Sequence, residues 1–212
     1  MLLNGDAGET NATQKEYLNE IYKGNKRMVS LVNALLNASR IELGTFGVEP
    51  EPSDIIAISK DVIEELTPLI KEKQVYVVED YEEMPEILLD PKLTRIIFQN
   101  LLTNAIKYTG GRGKITISIK KDSDNLTVSV ADTGFGIPLK QQEKIFSKLF
   151  RADNVKALDA EGSGLGLYIV KSIVEESNGK IWFESEEDKG TTFHVALPIN
   201  GMKERAGSKP LE

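Results

Sequence analysis

Asp132-Thr133-Gly134-Phe135-Gly136-Ile137-Pro138 ends one run of alternating residues, and Gly162-Ser163-Gly164-Leu165-Gly166-Leu167 opens a run with helical periodicity. Glycine lets backbone amides approach a ligand, so glycine-rich turns that enter a helix are natural phosphate cradles. Either cluster alone reads equally well as a tight turn. Between them, residues 133–163 carry one short helical pattern and no strand pattern. A loop of that length inside a compact domain is usually functional or disordered.

Working outward, the strand pattern Leu126 to Ala131 puts Asp132 in phase with Val128 and Val130, which aims its carboxylate at the apolar face of a sheet. A carboxylate buried there needs a partner. It can accept from an adenine amino group or cap the turn before Gly134, and the residue alone does not choose. Lys114 to Lys120 also alternates, and the polar turn Asp122-Ser123-Asp124-Asn125 joins the two strands as an antiparallel hairpin. Downstream, the pattern predicts a helix over 165–177 and strands over 180–185 and 191–197. Thr191 shares the strand parity of Phe193 and Val195.

Upstream, a helix is expected over 91–108 with Asp90 as its cap, and QNLLTNAIKYT places Asn100, Asn104 and Lys107 on one of its faces. A carboxamide oxygen can bind Mg²⁺ without adding charge beside a triphosphate; two helix asparagines can also be plain solvated surface. Strands at 75–78 and 87–89 precede this helix, as does a helix capped by Ser53 or Asp54 with Ile55, Val62, Ile63, Leu66, Leu69 and Ile70 on its apolar side. Partial alternation with several antiparallel neighbours predicts an α+β sandwich, a mixed and mostly antiparallel sheet covered on one face by helices, rather than a doubly wound parallel sheet.

Before Pro50 and Pro52 lies a different pattern. Leu18, Ile21, Asn25, Met28, Val32, Leu35, Ser39 and Glu42 recur at alternating spacings of three and four, a heptad seam widened by Val29, Leu36 and Leu43. Thr13 and Glu16 have the form of a capping box, and Gly44 stands where a helix stops. Such a helix can pack on its own domain or join a helix-bundle dimer. The expected organisation is therefore a helical segment over 1–46 with its helix at about 13–43, a linker over 47–52, the main domain over 53–198 with a lid at about 133–163, and a frayed polar tail over 199–212.

Composition narrows the function classes. The 212 residues carry a net charge of −7 at a pI near 5.0, which disfavours general nucleic-acid binding. No cysteines excludes disulfides, thiol nucleophiles and cysteine-bound zinc, and one histidine removes most metal-site and Ser-His-Asp readings. Neither a membrane span nor a signal peptide is expected. Cytoplasmic residence is expected, with no membrane contact by this segment and a tether on a parent protein left open.

In order and separation, NLLTNAIKYT, DTGFGIP, IFSKLFRAD, GSGLGLYIV and KGTTFHVALP resemble the asparagine, first glycine, phenylalanine, second glycine and third glycine boxes of sensor histidine kinases. The resemblance covers 53–198, and LVNALLNASRIELGTF is similar to the second helix of that family's dimerisation and phosphotransfer hairpin. It implies the histidine kinase and gyrase-type ATPase fold, with ATP and Mg²⁺ as ligands. By resemblance, Asn104 would coordinate Mg²⁺, Lys107 would contact phosphate and Tyr108 would lie against the nucleotide. Asp132 would bind the adenine amino group with Thr191 nearby, and Gly134, Gly136 and Ile137 would shape the pocket wall. Phe146 and Phe150 would anchor the lid, and Arg151 would face the terminal phosphate. Gly162, Gly164, Leu165, Gly166 and Leu167 would bring the start of the next helix against the phosphates. Asn100, Lys107 and Arg151 are the catalytic candidates.

Related ATPases of this fold usually place a glutamate at the position of Asn100 to activate water. An asparagine has no base to offer, so kinase is preferred over hydrolase, with a regulatory nucleotide-binding module or a weak ATPase of the same fold without kinase activity as the alternative. The sequence departs from the family in lacking a phosphoacceptor histidine before Leu18, and Met1-Leu2-Leu3 resembles the remnant of a first hairpin helix. His194 alternates with Phe193 and Val195 and is expected on the open face of the sheet. The implied partners are that missing acceptor helix, a response regulator, and a second copy of the chain through residues 13–43.

Overall fold

The computed structural model describes residues 8–156, 162–207 and 211, apart from the side chain of Arg27. The expectations placed on Met1 to Leu3, on residues 157–161 of the lid and on 208–210 and 212 of the tail lie outside the described residues. Helix α1 (Ala12–Glu42) leads into strand β1 (Glu51–Ser53) and helix α2 (Ile55–Lys73). Strands β2 (Tyr76–Tyr81) and β3 (Ile87–Leu89) come next, then helix α3 (Pro91–Tyr108) and the hairpin β4 (Lys114–Lys121) and β5 (Asn125–Asp132). The glycine-interrupted segment holds a 3-10 turn (Leu139–Lys144) and the single helical turn α4 (Asp153–Lys156), where one short helix was expected. Helix α5 (Gly166–Glu176) and strands β6 (Lys180–Glu186) and β7 (Gly190–Pro198) follow.

The main sheet runs β2-β4-β5-β7-β6, with β2 parallel to β4 and the other pairs antiparallel. Period two sorts its side chains: Ile115, Ile117, Ile119, Leu126, Val128, Val130, Phe193, Val195 and Leu197 are buried. Helices α2, α3 and α5 supply the other half of that core through Ile55, Val62, Leu93, Ile97, Phe98, Leu101, Leu102, Ile169, Val170 and Val174. This is the expected α+β sandwich with helices on one face. The caps follow from chemistry: Asp90 accepts from the amides of Lys92 and Leu93, and Asp54 from those of Ile56 and Ala57.

Several expectations are corrected. The box that starts α1 is Asn11 with Gln14, not Thr13 with Glu16: Asn11 Oδ1 accepts from the Gln14 amide at 2.8 Å, and Gln14 Oε1 accepts from the Asn11 amide at 2.9 Å. Asparagine caps as well as threonine, and the glutamine two residues earlier completes the pair. The linker over 47–52 packs on the domain: Val48, like Phe46 before it, is buried, and the Glu49 amide donates to Asp90. The described part of the tail, 199–207 with Leu211, is attached to the domain: Val48 and Arg205 form a backbone bridge, the Met202 amide donates to Leu88, and Met202 and Leu211 are buried. Its few apolar residues found a groove that composition alone did not reveal.

His194 lies on the sheet face opposite the helices, as expected, yet it is not an open surface residue. Its ring stacks on Trp182 with centroids 5.0 Å apart, and its Nδ1 pairs with Ser129 Oγ at 2.8 Å. Burial pushes the imidazole below its ordinary range, against a smaller opposing pull from Glu184.

Candidate nucleotide site

The ends of the strands, the inner face of α3, the lid and α1 enclose a cavity of about 920 Å³. That volume lies in the range of small-molecule and cofactor sites. Asp132 reaches its wall because β5 delivers it to the apolar face at the sheet's end. Its Oδ1 accepts from the Gly134 amide at 2.8 Å and from the Thr191 amide at 3.3 Å. Desolvation outweighs those two bonds and pushes the carboxyl up to about 6. Thr191 Oγ1 is in turn paired with Ser185 Oγ at 2.9 Å, so the acceptor sits in a connected polar corner.

Two glycines make this corner possible. A Cβ on Gly134 would fall 2.0 Å from the carbonyl oxygen of Tyr108, which instead accepts from the Phe135 amide at 3.1 Å. Gly136 has φ +60° and presses against Glu186 O, where a Cβ would again fall at 2.0 Å. The first glycine turn is thereby sewn to the end of α3 on one side and to the β6–β7 hairpin on the other.

The lid side is built differently. Phe146 meets Phe183 and Phe193 edge-on at 5.8 and 6.5 Å, and Phe150 packs against the core while facing the cavity. Gln142 donates to Ile137 O and Ser185 O, and Asn154 Nδ2 donates to Gly136 O at 3.1 Å. Arg151, beside Phe150, has Nε and Nη2 buried with no hydrogen-bond partner. A guanidinium with two unpaired donors in a cavity wall has the chemistry to receive an anion.

Asn100, Asn104, Lys107 and Tyr108 line the cavity from α3, as do Gly136, Ile137, Phe150, Arg151, Gly162, Gly164, Gly166, Leu167 and Thr191 from the turns, the lid and β7. Gly134 and Leu165 do not. Gly134 is held behind the wall against Tyr108, and Leu165 is buried in the core at the start of α5. Asn100 turns its Nδ2 back to Ile96 O at 2.8 Å. Among the described residues, Asp132 is the one carboxylate in the wall. No cluster of three histidine, aspartate or glutamate side chains suited to a metal occurs among those residues either.

The sequence reading missed the fourth wall. Ser30, Asn33, Ala34 and Asn37 of α1 face the cavity, while the heptad positions Ile21, Met28, Val32 and Leu35 point outward and are exposed. The small and polar residues between the seam positions were the available signal.

Residues 89–201 match the model of the histidine kinase-, DNA gyrase B- and HSP90-like ATPase family. The chain belongs to that family. Its relatives include the adaptive-response sensory kinase SasA of Rippkaea orientalis, 36% identical over 174 residues that make up 81% of this chain and 44% of the relative. The sensor protein kinase WalK of Staphylococcus saprophyticus is 31% identical over 191 residues, 89% of this chain and 31% of that protein. This chain thus spans less than half the length of these relatives. Among solved structures, full-length ShkA in complex with AMPPNP superimposes with a TM-score of 0.79 at 25% identity, over 96% of this chain and 42% of ShkA. The catalytic domain of the histidine kinase ThkA gives 0.62 at 28% identity, over 71% of this chain and 96% of that domain. The ATP-binding kinase domain expected from the motifs is therefore the right class, and its relatives are sensor histidine kinases. Among the described residues, no helix is long and apolar enough to cross a membrane.

Proposed function

We propose that the chain binds Mg-ATP in this cavity and transfers the γ-phosphoryl group to a histidine carried on another helical segment. The observation that carries the reading is the pairing of two unlike ends in one cavity. A buried carboxylate whose pKa is raised can accept from adenine's amino group, and a buried guanidinium with two unused donors can take the terminal phosphate. Asn104 would hold Mg²⁺, whose part is to neutralise charge across the phosphates. Lys107 and Arg151 would orient the phosphoryl group, and the backbone turns at Gly162 to Gly166 would line its path. Transfer breaks the bond from γ-phosphorus to the bridging oxygen, forms a bond to an imidazole nitrogen and leaves ADP. Hydrolysis is the weaker reading, since Asn100 carries no base and the single described carboxylate of the wall belongs to the adenine corner.

The chain's own His194 is unsuited as acceptor because it faces the opposite side of the sheet from Thr191 and Phe193. A similar solved structure holds the histidine kinase ThkA in complex with the response regulator protein TrrA, which supports a response regulator as the proposed recipient of the phosphoryl group from the parent protein. The exposed stripe Ile21, Met28, Val32 and Leu35 suits a helix-bundle homodimer, and sedimentation over a range of concentrations tests it.

The experiment is a titration with ATP, adenosine and GTP of the wild type, Asp132→Ala and Asn104→Ala. Asp132→Ala should lose ATP and adenosine together while the fold persists. Asn104→Ala should weaken Mg-ATP far more than adenosine. Equal competition by ATP and GTP would overturn the adenine assignment, because a carboxylate has no donor for guanine's carbonyl.

A further inference from the structure

The C-terminal segment converges on the hinge that joins α1 to the rest of the molecule. Arg205 donates through Nη2 to Gly44 O at 2.9 Å, pairs through Nη1 with Glu176 at the end of α5, and lays its guanidinium over Phe46 at 5.4 Å from the ring centroid. Its backbone exchanges both bonds with Val48, at 2.9 and 3.0 Å. The backbones of Gly47 and Gly207 touch, so that a Cβ on Gly207 would fall 2.0 Å from Gly47 N. Met202 completes the attachment by accepting from the Asp90 amide at the cap of α3. Gly44 is the turn that ends α1, and α1 is one wall of the cavity. On the opposite flank of the same turn, Lys148 of the lid pairs with Glu42.

We propose that residues 202–207 form a clasp in which Arg205 is a positioning residue. It sets the angle at which α1 lies across the nucleotide cavity and so governs how fast nucleotide enters and leaves. One guanidinium engages three groups, two on the hinge and one on α5, which a lysine cannot do, since a point charge has no planar fork to serve a carbonyl and a carboxylate while stacking on a ring. The proposal rests on the nucleotide reading above.

The test uses the full chain and its Arg205→Ala, Arg205→Lys and Glu176→Gln forms, read by amide hydrogen exchange and by stopped-flow release of a ribose-labelled fluorescent ATP. In Arg205→Ala, exchange at Thr45 to Val48 and over 30–38 of α1 should rise roughly tenfold, the scale of one charge-assisted bond lost. Nucleotide release should accelerate several-fold, with exchange in β4, β5 and α3 unchanged. Arg205→Lys should recover little, and Glu176→Gln, which keeps the bond to Gly44 O and the ring contact, should give the smallest change. If Arg205→Ala loosens the whole domain, Glu176→Gln and Gly207→Ala, the latter prying Gly47 away, must still raise exchange in α1 before exchange in the sheet. Unchanged release rates with unchanged exchange in α1 would overturn the clasp. Failure of the wild type to bind the labelled ATP would instead overturn the nucleotide reading, and the exchange data would still decide the clasp.

Discussion

The two ends of the cavity present opposite economies of hydrogen bonding. At the sheet end, Asp132 Oδ1 already has two amide donors, Thr191 is paired with Ser185, and Gly134 and Gly136 of the first glycine turn lie in contact with neighbouring backbone. At the lid end, Arg151 keeps two buried donors unused and Asn154 one buried acceptor. Backbone ladders fix the first end before any ligand arrives, whereas the second end leaves its polar capacity open. A base that never changes can be read by a rigid corner. A phosphoryl group that must depart is better met by donors that are not yet committed.

The difference is sharpest for two glycines. Gly134→Ala would drive a Cβ into Tyr108 O, a backbone atom fixed at the junction of α3 with the first glycine turn. The expected loss is about 3 kcal/mol or more of unfolding free energy, together with nucleotide binding. Gly164→Ala, at φ +68° and 2.7 Å from Leu149 C, strains only the lid segment, and its global cost should be about 1 kcal/mol although ATP affinity falls. Denaturant unfolding of both variants checks this. Equal losses of stability would erase the distinction between a fixed end and an open one.

Legibility in the sequence followed the same divide. Period-two patterning located β4, β5, β6 and β7 within a residue or two, and with them the inward aim of Asp132 and Thr191, because a sheet with one dry face tolerates no slip of register. Two parts of the molecule escaped. The tail was read as frayed because Met202 and Leu211 are isolated among polar residues, and only tertiary grooves bury them. The heptad of α1 was legible, yet the face that meets the domain is Asn33, Ala34, Asn37, Ala38 and Ile41, where small side chains permit close approach but give no strong periodic signal. Leu165 was assigned to the pocket with the glycines around it, but its side chain is buried in the core at the start of α5.

Asp132 offers a second break point. Its folded pKa is raised from 3.8 to about 6, so the folded state holds this proton more tightly than the unfolded chain. The carboxyl's contribution is therefore fully present below pH 3.8 and lost as pH rises through about 6. At neutral pH the ionised group opposes folding, by an amount on the order of 3 kcal/mol. Asp132→Asn keeps the acceptor for Gly134 and Thr191 without the charge, so without nucleotide it should be more stable than the wild type at pH 7.5 and equal to it only below the unfolded value of 3.8, at about pH 3. Adenosine affinity should fall despite the added stability. Parallel thermal melts at the two pH values and a titration with adenosine decide this. A variant less stable at both would show that the rigid corner carries no stored charge cost.

At the lid end the sign of the bargain should reverse. Arg151→Ala removes donors that have no partner in the described structure, so stability should hardly change, while ATP affinity drops roughly tenfold, the value of one charge-assisted contact to phosphate. Adenosine, which lacks phosphate, should bind as before. Transfer to a supplied acceptor helix should fall further than affinity if the charge is used as the phosphoryl group leaves. Loss of adenosine binding would mean that Arg151 supports the pocket instead of the phosphate.

The smallest expected effect concerns the latch between the ends. Asn154 Nδ2 donates to Gly136 O at 3.1 Å, while its Oδ1 is buried without a partner. Asn154→Ala removes one neutral hydrogen bond worth about 1 kcal/mol and relieves one unsatisfied acceptor of similar cost, so the two terms nearly cancel in stability. They do not cancel in kinetics. The bond joins the lid to the first glycine turn, whereas the orphaned oxygen joins nothing, so only the bond resists opening. Nucleotide release should quicken by about two- to fivefold, the factor for a fraction of 1 kcal/mol to 1 kcal/mol, with the melting temperature unmoved. Stopped-flow release beside a thermal melt measures both. A lowered melting temperature with unaltered release would place Asn154 with the fixed end of the cavity and shift the line between the two ends from Gly136 to beyond α4.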